Sequence, residues 1–207
     1  WGIEDKIVGI KGQRQNILMG NHKSKLKSKE IDELSRVADF SALEIQNWFE
    51  TYKQNCKHGR NLTLEEFQDL YQDLFPGDTS TFSEHMFRSF DLDKNGRVDF
   101  REFLIGLSVV SSLDIEKKLK WSFNMYDIDG NGYISQDEMI EILRAVLQMN
   151  MLTDHHSGNV ETPEEMADKL FKKMDKNNDN QISWEEFKSG AQEDKGILSM
   201  LTGLNNG

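Results

Sequence analysis

Three twelve-residue stretches carry oxygen-bearing side chains at the same offsets: DLDKNGRVDFRE from Asp91, DIDGNGYISQDE from Asp127 and DKNNDNQISWEE from Asp175. Their first, third and fifth places hold Asp91, Asp93 and Asn95; Asp127, Asp129 and Asn131; Asp175, Asn177 and Asp179. A glutamate closes each stretch: Glu102, Glu138 and Glu186. Hard oxygen donors at alternating places suit one task above others, the enclosure of a calcium ion, which takes about six to eight oxygens. In such a loop the seventh residue (Arg97, Tyr133 or Gln181) supplies its backbone carbonyl, so its side chain is free to vary. The ninth (Asp99, Ser135 or Ser183) acts through a water, and the closing glutamate gives both oxygens. One run alone reads as a solvated acidic turn. Three in a common register, each between amphipathic segments, read as metal loops.

Two further positions fit that chemistry. The sixth place, where the chain turns sharply with a positive φ, holds Gly96, Gly132 and Asn180. The eighth is always β-branched (Val98, Ile134, Ile182), suited to a short strand between neighbouring loops. This is the calcium loop of an EF-hand. EF-hands pair, so three loops predict a fourth. Counted back from Phe67, which matches Phe103 and Phe187, it falls at NCKHGRNLTLEE, residues 55–66. Leu62 takes the strand place and Glu66 the last, but Lys57 stands where an oxygen is needed and Arg60 occupies the turn. Two cations in the shell exclude calcium. Three Ca2+ sites are therefore expected, with the fourth helix–loop–helix kept for structure beside the loop at 91.

The elements that must position these loops are helical. Apolar stripes recur at helical spacing before and after every loop, as in Phe82, Met86, Phe87, Phe90 and then Phe100, Phe103, Leu104, Leu107. The expected fold class is all-α: four helix–loop–helix units in two pairs, with short β pairing between loops. The N-terminal pair spans 41–110 and the C-terminal pair 111–190, followed by an apolar helix or tail at 191–207. Thr162-Pro163-Glu164-Glu165 reads as a capping box with proline at the first helical place. Residues 149–161 have no period and read as a loop, with His155 and His156 solvated. The first half holds an excess of aromatics: Trp48, Phe49, Tyr52, Phe67, Tyr71, Phe82 and Phe87. Sensor EF-hands open on binding calcium, so part of this set is expected to line a groove for an amphipathic helix of a target protein.

With 36 acidic residues against 25 basic ones, the chain is not a nucleic-acid binder. Its single cysteine, Cys56, excludes an internal disulfide framework and suits a reducing compartment. No apolar run approaches a membrane span. Met19 opens MGNHKS, which fits the signal for myristoylation of Gly20, and Lys23, Lys25, Lys27 and Lys29 follow before any acidic residue. Lipid and lysines together would form a two-signal anchor on an anionic membrane surface. That anchor requires Gly20 to be the amino terminus, so residues 1–18 are expected to be upstream sequence or disordered; 19–40 then carries the signal, the basic segment and a leading helix. The expected location is cytoplasmic, at the cytosolic side of a membrane.

From Met19 onward the chain resembles the neuronal calcium sensor family, the group of recoverin, frequenin, hippocalcin and the visinin-like proteins. The resemblance rests on MGNHKSKLK, a disabled first loop containing Cys56, three intact loops, EKKLKWSFNMYDIDGNGYIS and TPEEMADKLFKKMDKNNDNQIS. It implies two pairs of EF-hands, calcium binding, and regulation of membrane-associated targets through a groove in the N-terminal half. Several such proteins expose the myristoyl group only when calcium binds. The family's first loop generally has a cysteine–proline pair, whereas Cys56 here precedes Lys57-His58-Gly59-Arg60, one residue longer. The C-terminal GILSMLTGLNNG is apolar enough to lie in the groove. Two rivals stand beside the sensor: a calcium buffer, and an enzyme's regulatory subunit similar to calcineurin B. No nucleophile–base constellation supports an enzyme.

Overall fold

The computed structural model describes residues 26–72, 75, 77–150 and 161–202. Residues 1–18, Met19, Gly20, Lys23, Lys25, His155 and His156 lie outside the described residues. The chain forms α1 (Ser28–Leu34), α2 (Ala42–Asn55), α3 (Leu64–Gln72), α4 (Ser80–Phe90), α5 (Phe100–Val110) and α6 (Ile115–Tyr126). There follow β1 (Tyr133–Ser135), α7 (Gln136–Asn150), α8 (Pro163–Met174), β2 (Gln181–Ser183), α9 (Trp184–Glu193) and α10 (Lys195–Thr202). This is the expected all-α EF-hand fold, with helices α2 to α9 arranged as four helix–loop–helix units.

Local chemistry starts the helices where they are. Ser41, Asp99, Thr162 and Ser183 each accept a hydrogen bond from the amide three residues on, and the glutamate there bonds back. Each cap stabilises its helix by about 1 kcal/mol. The box at Thr162–Glu165, with Pro163 opening α8, stands as the sequence indicates. β1 and β2 pair antiparallel with Ile134 opposite Ile182, and Leu62 opposite Val98 forms the equivalent single bridge in the first pair of hands. All four of these side chains are fully buried, so each loop pair is fastened to the core from beneath.

The helical stripes meet in one hydrophobic core. In the first half Phe67 stands 5.3 Å from Phe90 and 5.5 Å from Phe87 in edge-to-face contact. In the second Phe123 meets Phe187 edge-on at 5.5 Å. Two helical glycines permit close helix crossings. A Cβ on Gly106 of α5 would come within 2.4 Å of the Phe90 ring, and one on Gly190 of α9 within 2.6 Å of Met174. Phe90 and Met174 immediately precede loop residues Asp91 and Asp175, so incoming and outgoing helices approach closely just beneath two of the loops. Helix α4 also packs on α6 and α7, and Arg88 donates to the Met125 carbonyl at 2.7 Å, joining the two halves. The described part of the C-terminal segment, α10, packs on α6 and α9 and buries Ile197 and Leu201 there. No helix among the described residues is long and apolar enough to cross a membrane.

Candidate calcium-binding loops

Each incoming helix ends on the first aspartate of its loop. Asp91, Asp127 and Asp175 cap α4, α6 and α8, their amides bonding back to Phe87, Phe123 and Phe171. Backbone amides then grip the side chains in the same order in all three loops. The Asn95 and Gly96 amides donate to the two oxygens of Asp91 at 3.1 and 2.8 Å. The Asn131 and Gly132 amides do so for Asp127 at 3.0 and 3.0 Å, and those of Asp179 and Asn180 for Asp175 at 3.3 and 3.0 Å. The third side chain accepts from the fifth amide (Asp93, Asp129, Asn177), and the fifth side chain from the seventh amide (Asn95, Asn131, Asp179). Amide dipoles thus offset part of the crowded negative charge and hold each side chain in one orientation. The winding requires left-handed residues at the sixth place, as expected: Gly96, Gly132 and Asn180 have φ of 78°, 91° and 62°. It also uses them at the fourth, where Lys94, Gly130 and Asn178 have φ of 57°, 72° and 58°. Gly130 and Asn178 were the available sequence signals for that second turn.

The closing glutamates reach across to the loop start. Glu102 Oε1 accepts from the Leu92 and Asp93 amides at 3.0 and 3.3 Å, and its Oε2 from the Asp99 amide at 2.9 Å. Glu138 does the same with Ile128, Asp129 and Ser135, and Glu186 with Lys176 and Ser183. Burial works against the Glu186 charge, but hydrogen bonds from Ser183, Lys176 and Asn177 outweigh it and hold the carboxyl below the ordinary glutamate value. The ninth residue also serves the outgoing helix: Asp99 and Ser183 are N-caps, and in all three loops the ninth residue pairs with the twelfth. The spacing D/S-x-x-E was that signal.

Carboxylate oxygens of Asp91, Asp93 and Glu102 lie within 4.8 Å of one another, as do those of Asp127, Asp129 and Glu138. Oxygens bonded to calcium at about 2.3–2.6 Å stand about 4.6–5.2 Å apart when opposed. Carboxylates at this spacing could share one such ion. At the third loop, Asn177 replaces the third-place carboxylate and donates to Asp179 at 2.8 Å. In the bridge below the first cluster, Val98 N–H donates to the Leu62 carbonyl at 3.0 Å. The Arg97 carbonyl belongs to the same trans peptide and points the opposite way.

The remaining loop differs from its sequence reading in register. Asn55 is the last residue of α2 and bonds back to Thr51, so Cys56 takes the capping place that aspartate holds elsewhere. One residue fewer lies between Cys56 and Leu62 than between Asp91 and Val98, so the loop is shorter than its siblings, and neither Gly59 nor Arg60 is left-handed. Lys57 therefore falls at the second place, and its ammonium pairs with Asp69 at 2.8 Å, away from the loop interior. What the loop lacks is oxygen rather than room beside a cation. Cys56 and His58 stand where the first and third oxygens belong, while Glu66 keeps the amide contacts of the other closing glutamates. Its carboxylate accepts from the Lys57, His58 and Thr63 amides at 2.6, 2.8 and 3.0 Å, with His58 Nδ1 at 3.3 Å. Burial would push that carboxyl up, but the three amides outweigh it and hold it below the ordinary range. Burial also pushes the Cys56 thiol up, which keeps it protonated and a poor nucleophile.

The aromatic set expected to line a groove occupies the interior. Trp48, Tyr52, Phe67, Tyr71, Phe82 and Phe87 are buried, and Phe49 is half-buried with its ring 5.0 Å from Phe100.

Comparison with known proteins agrees with this architecture. A family model described as an EF-hand domain pair matches residues 116–192, and an EF-hand model matches 84–105. The chain is 37% identical to human recoverin over 191 residues, 88% of this chain and 93% of that protein. It is 41% identical to neuronal calcium sensor 1 of Lymnaea stagnalis over 190 residues, 91% of this chain and 99% of that protein. S-modulin of Aquarana catesbeiana is 35% identical over 187 residues, 88% of this chain and 92% of its own length. With such relatives spanning nearly their whole length, and with EF-hand loops whose acidic clusters fit calcium, the chain belongs to the neuronal calcium sensor family.

Proposed function

We propose that this chain is a calcium sensor with three sites, at 91–102, 127–138 and 175–186, that regulates a membrane-associated target. The observation carrying the proposal is the repeated lattice of amides and side-chain oxygens in those three loops, against a fourth loop that has Cys56 and His58 where the first and third oxygens belong. Asp91, Asp93, Asn95, the Arg97 carbonyl and Glu102 would hold the first ion. Asp127, Asp129, Asn131, the Tyr133 carbonyl and Glu138 would hold the second, and Asp175, Asn177, Asp179, the Gln181 carbonyl and Glu186 the third. Calcium, when bound, supplies charge that lets these carboxylates crowd further together. A closing glutamate is also the third residue of its outgoing helix, so any change in its position is passed to α5, α7 or α9. Because Trp48 is buried and Phe49 half-buried in the present conformation, a helix-binding groove that uses them requires the helices packed over them to move.

A buffer would bind the ion with little opening. An apolar dye therefore tests the sensor: its fluorescence should rise with calcium and fall with chelator. Changing Trp48 and Phe49 together to alanine should weaken the calcium-dependent part. Denaturant unfolding followed in parallel separates that loss from the core damage, about 3–5 kcal/mol per large aromatic, that truncation of a buried ring brings. Equal dye binding in calcium and in chelator contradicts the sensor and leaves the buffer. One of the relatives, neuronal calcium sensor 1, is named as a calcium sensor, which agrees with a regulatory rather than an enzymatic role.

A further inference from the structure

The loop without calcium ligands is tied to its neighbour by the Leu62–Val98 bridge and, beside it, by one buried hydroxyl. Tyr52, on α2 before the 56–66 loop, is 2% exposed, and its OH lies 2.8 Å from the Val98 carbonyl and 3.0 Å from the Arg60 carbonyl. The single proton is shared between two acceptors, one on each loop. The Val98 carbonyl also accepts from the Leu62 amide at 2.9 Å, so both its lone pairs are used, while Val98 N–H donates to Leu62 at 3.0 Å. The two peptides flanking Val98 are thus fixed from the 56–66 side. One of them carries the Arg97 carbonyl, the seventh-place oxygen of the calcium loop; the other leads into Asp99, which caps α5 and bonds to Glu102.

We propose that the Tyr52 hydroxyl is a positioning group for calcium at 91–102: it locks the ligand-poor loop onto Val98 and so holds the Arg97 carbonyl and Glu102 in place before the ion arrives. The proposal rests on the reading of 91–102 as a calcium site. Binding to a preset shell avoids the ordering cost that a slack one incurs. The 127–138 and 175–186 loops, paired with each other through β1 and β2, lie outside the reach of this hydroxyl.

The test uses the full chain with Glu138→Gln and Glu186→Gln as background, and calcium alone as the probe. One site should remain, and its affinity is measured before Tyr52 is touched. Tyr52→Phe, which keeps the ring and removes only the hydroxyl, should then weaken that site roughly three- to tenfold, the equivalent of one buried hydrogen bond. It should also raise the calcium dissociation rate. In the opposite background, Glu102→Gln, Tyr52→Phe should leave the affinities of the other two sites unchanged. An unchanged affinity at 91–102 overturns the proposal. So does an equal loss at all three sites in step with a lower unfolding midpoint of the metal-free protein, because that is a general structural role. A background variant that binds no calcium before Tyr52 is changed instead removes the site itself, and the positioning role goes with it.

Discussion

At the scale of single residues, charge is managed by amides. Each first-place aspartate and each closing glutamate sits among backbone donors, which is how a chain of net charge −11 tolerates three such clusters. Glu66 shows the same device with no expected ion, and it yields a prediction. Its carboxyl is held below the ordinary value, so its contribution is fully present above about pH 4.5, the unfolded value, and is lost as pH falls through the lower folded one. Glu66→Gln should cost about 1–3 kcal/mol at neutral pH, since an amide cannot accept all three N–H bonds, and it should flatten the acid limb below that pH. Denaturant titrations at pH 7 and pH 4 check both; equal losses at the two pH values would contradict the role of the charge. Most of the intact loops was legible residue by residue, because calcium dictates oxygen spacing directly. The degenerate loop was not. Counting back twelve residues from Phe67 assumed the length that ligands enforce, and where no ligand is required, the chain between Cys56 and Leu62 is free to shorten.

At the scale of elements, periodicity located the helices, and the caps fixed where α5, α8 and α9 begin. Which faces close on which was less visible, since a stripe of Phe and Met reads alike whether it is permanently internal or opens later. Gly106 is a case in point: glycine inside a helix has no local advantage, and only the Phe90 ring beside it explains the choice. Gly106→Ala should therefore destabilise despite the helix propensity of alanine, which favours it by about 1 kcal/mol. Overpacking against a ring that is 1% exposed costs about 1–3 kcal/mol. Thermal or denaturant unfolding of the metal-free protein gives the sign, and a stabilised variant would show that the α4–α5 crossing yields freely.

At the scale of the whole molecule, the two pairs of hands meet through α4, α6 and α7, and α10 is committed to the second half. The expected membrane attachment belongs to residues before the described part, where sequence motif is the only guide. Protein beginning at Met19, co-expressed with an N-myristoyltransferase, should sediment with anionic vesicles, and Gly20→Ala should not. Raised salt should weaken sedimentation, because the lysine attraction is screened over about 8 Å at physiological ionic strength. Sedimentation that ignores Gly20→Ala would remove lipid from the account. The central claim, that three loops hold calcium and the fourth does not, is tested most directly by calorimetric titration of the demetallated full chain. Three ions per chain are predicted, falling to two in Glu138→Gln. Four ions, or three still bound by that variant, would contradict it.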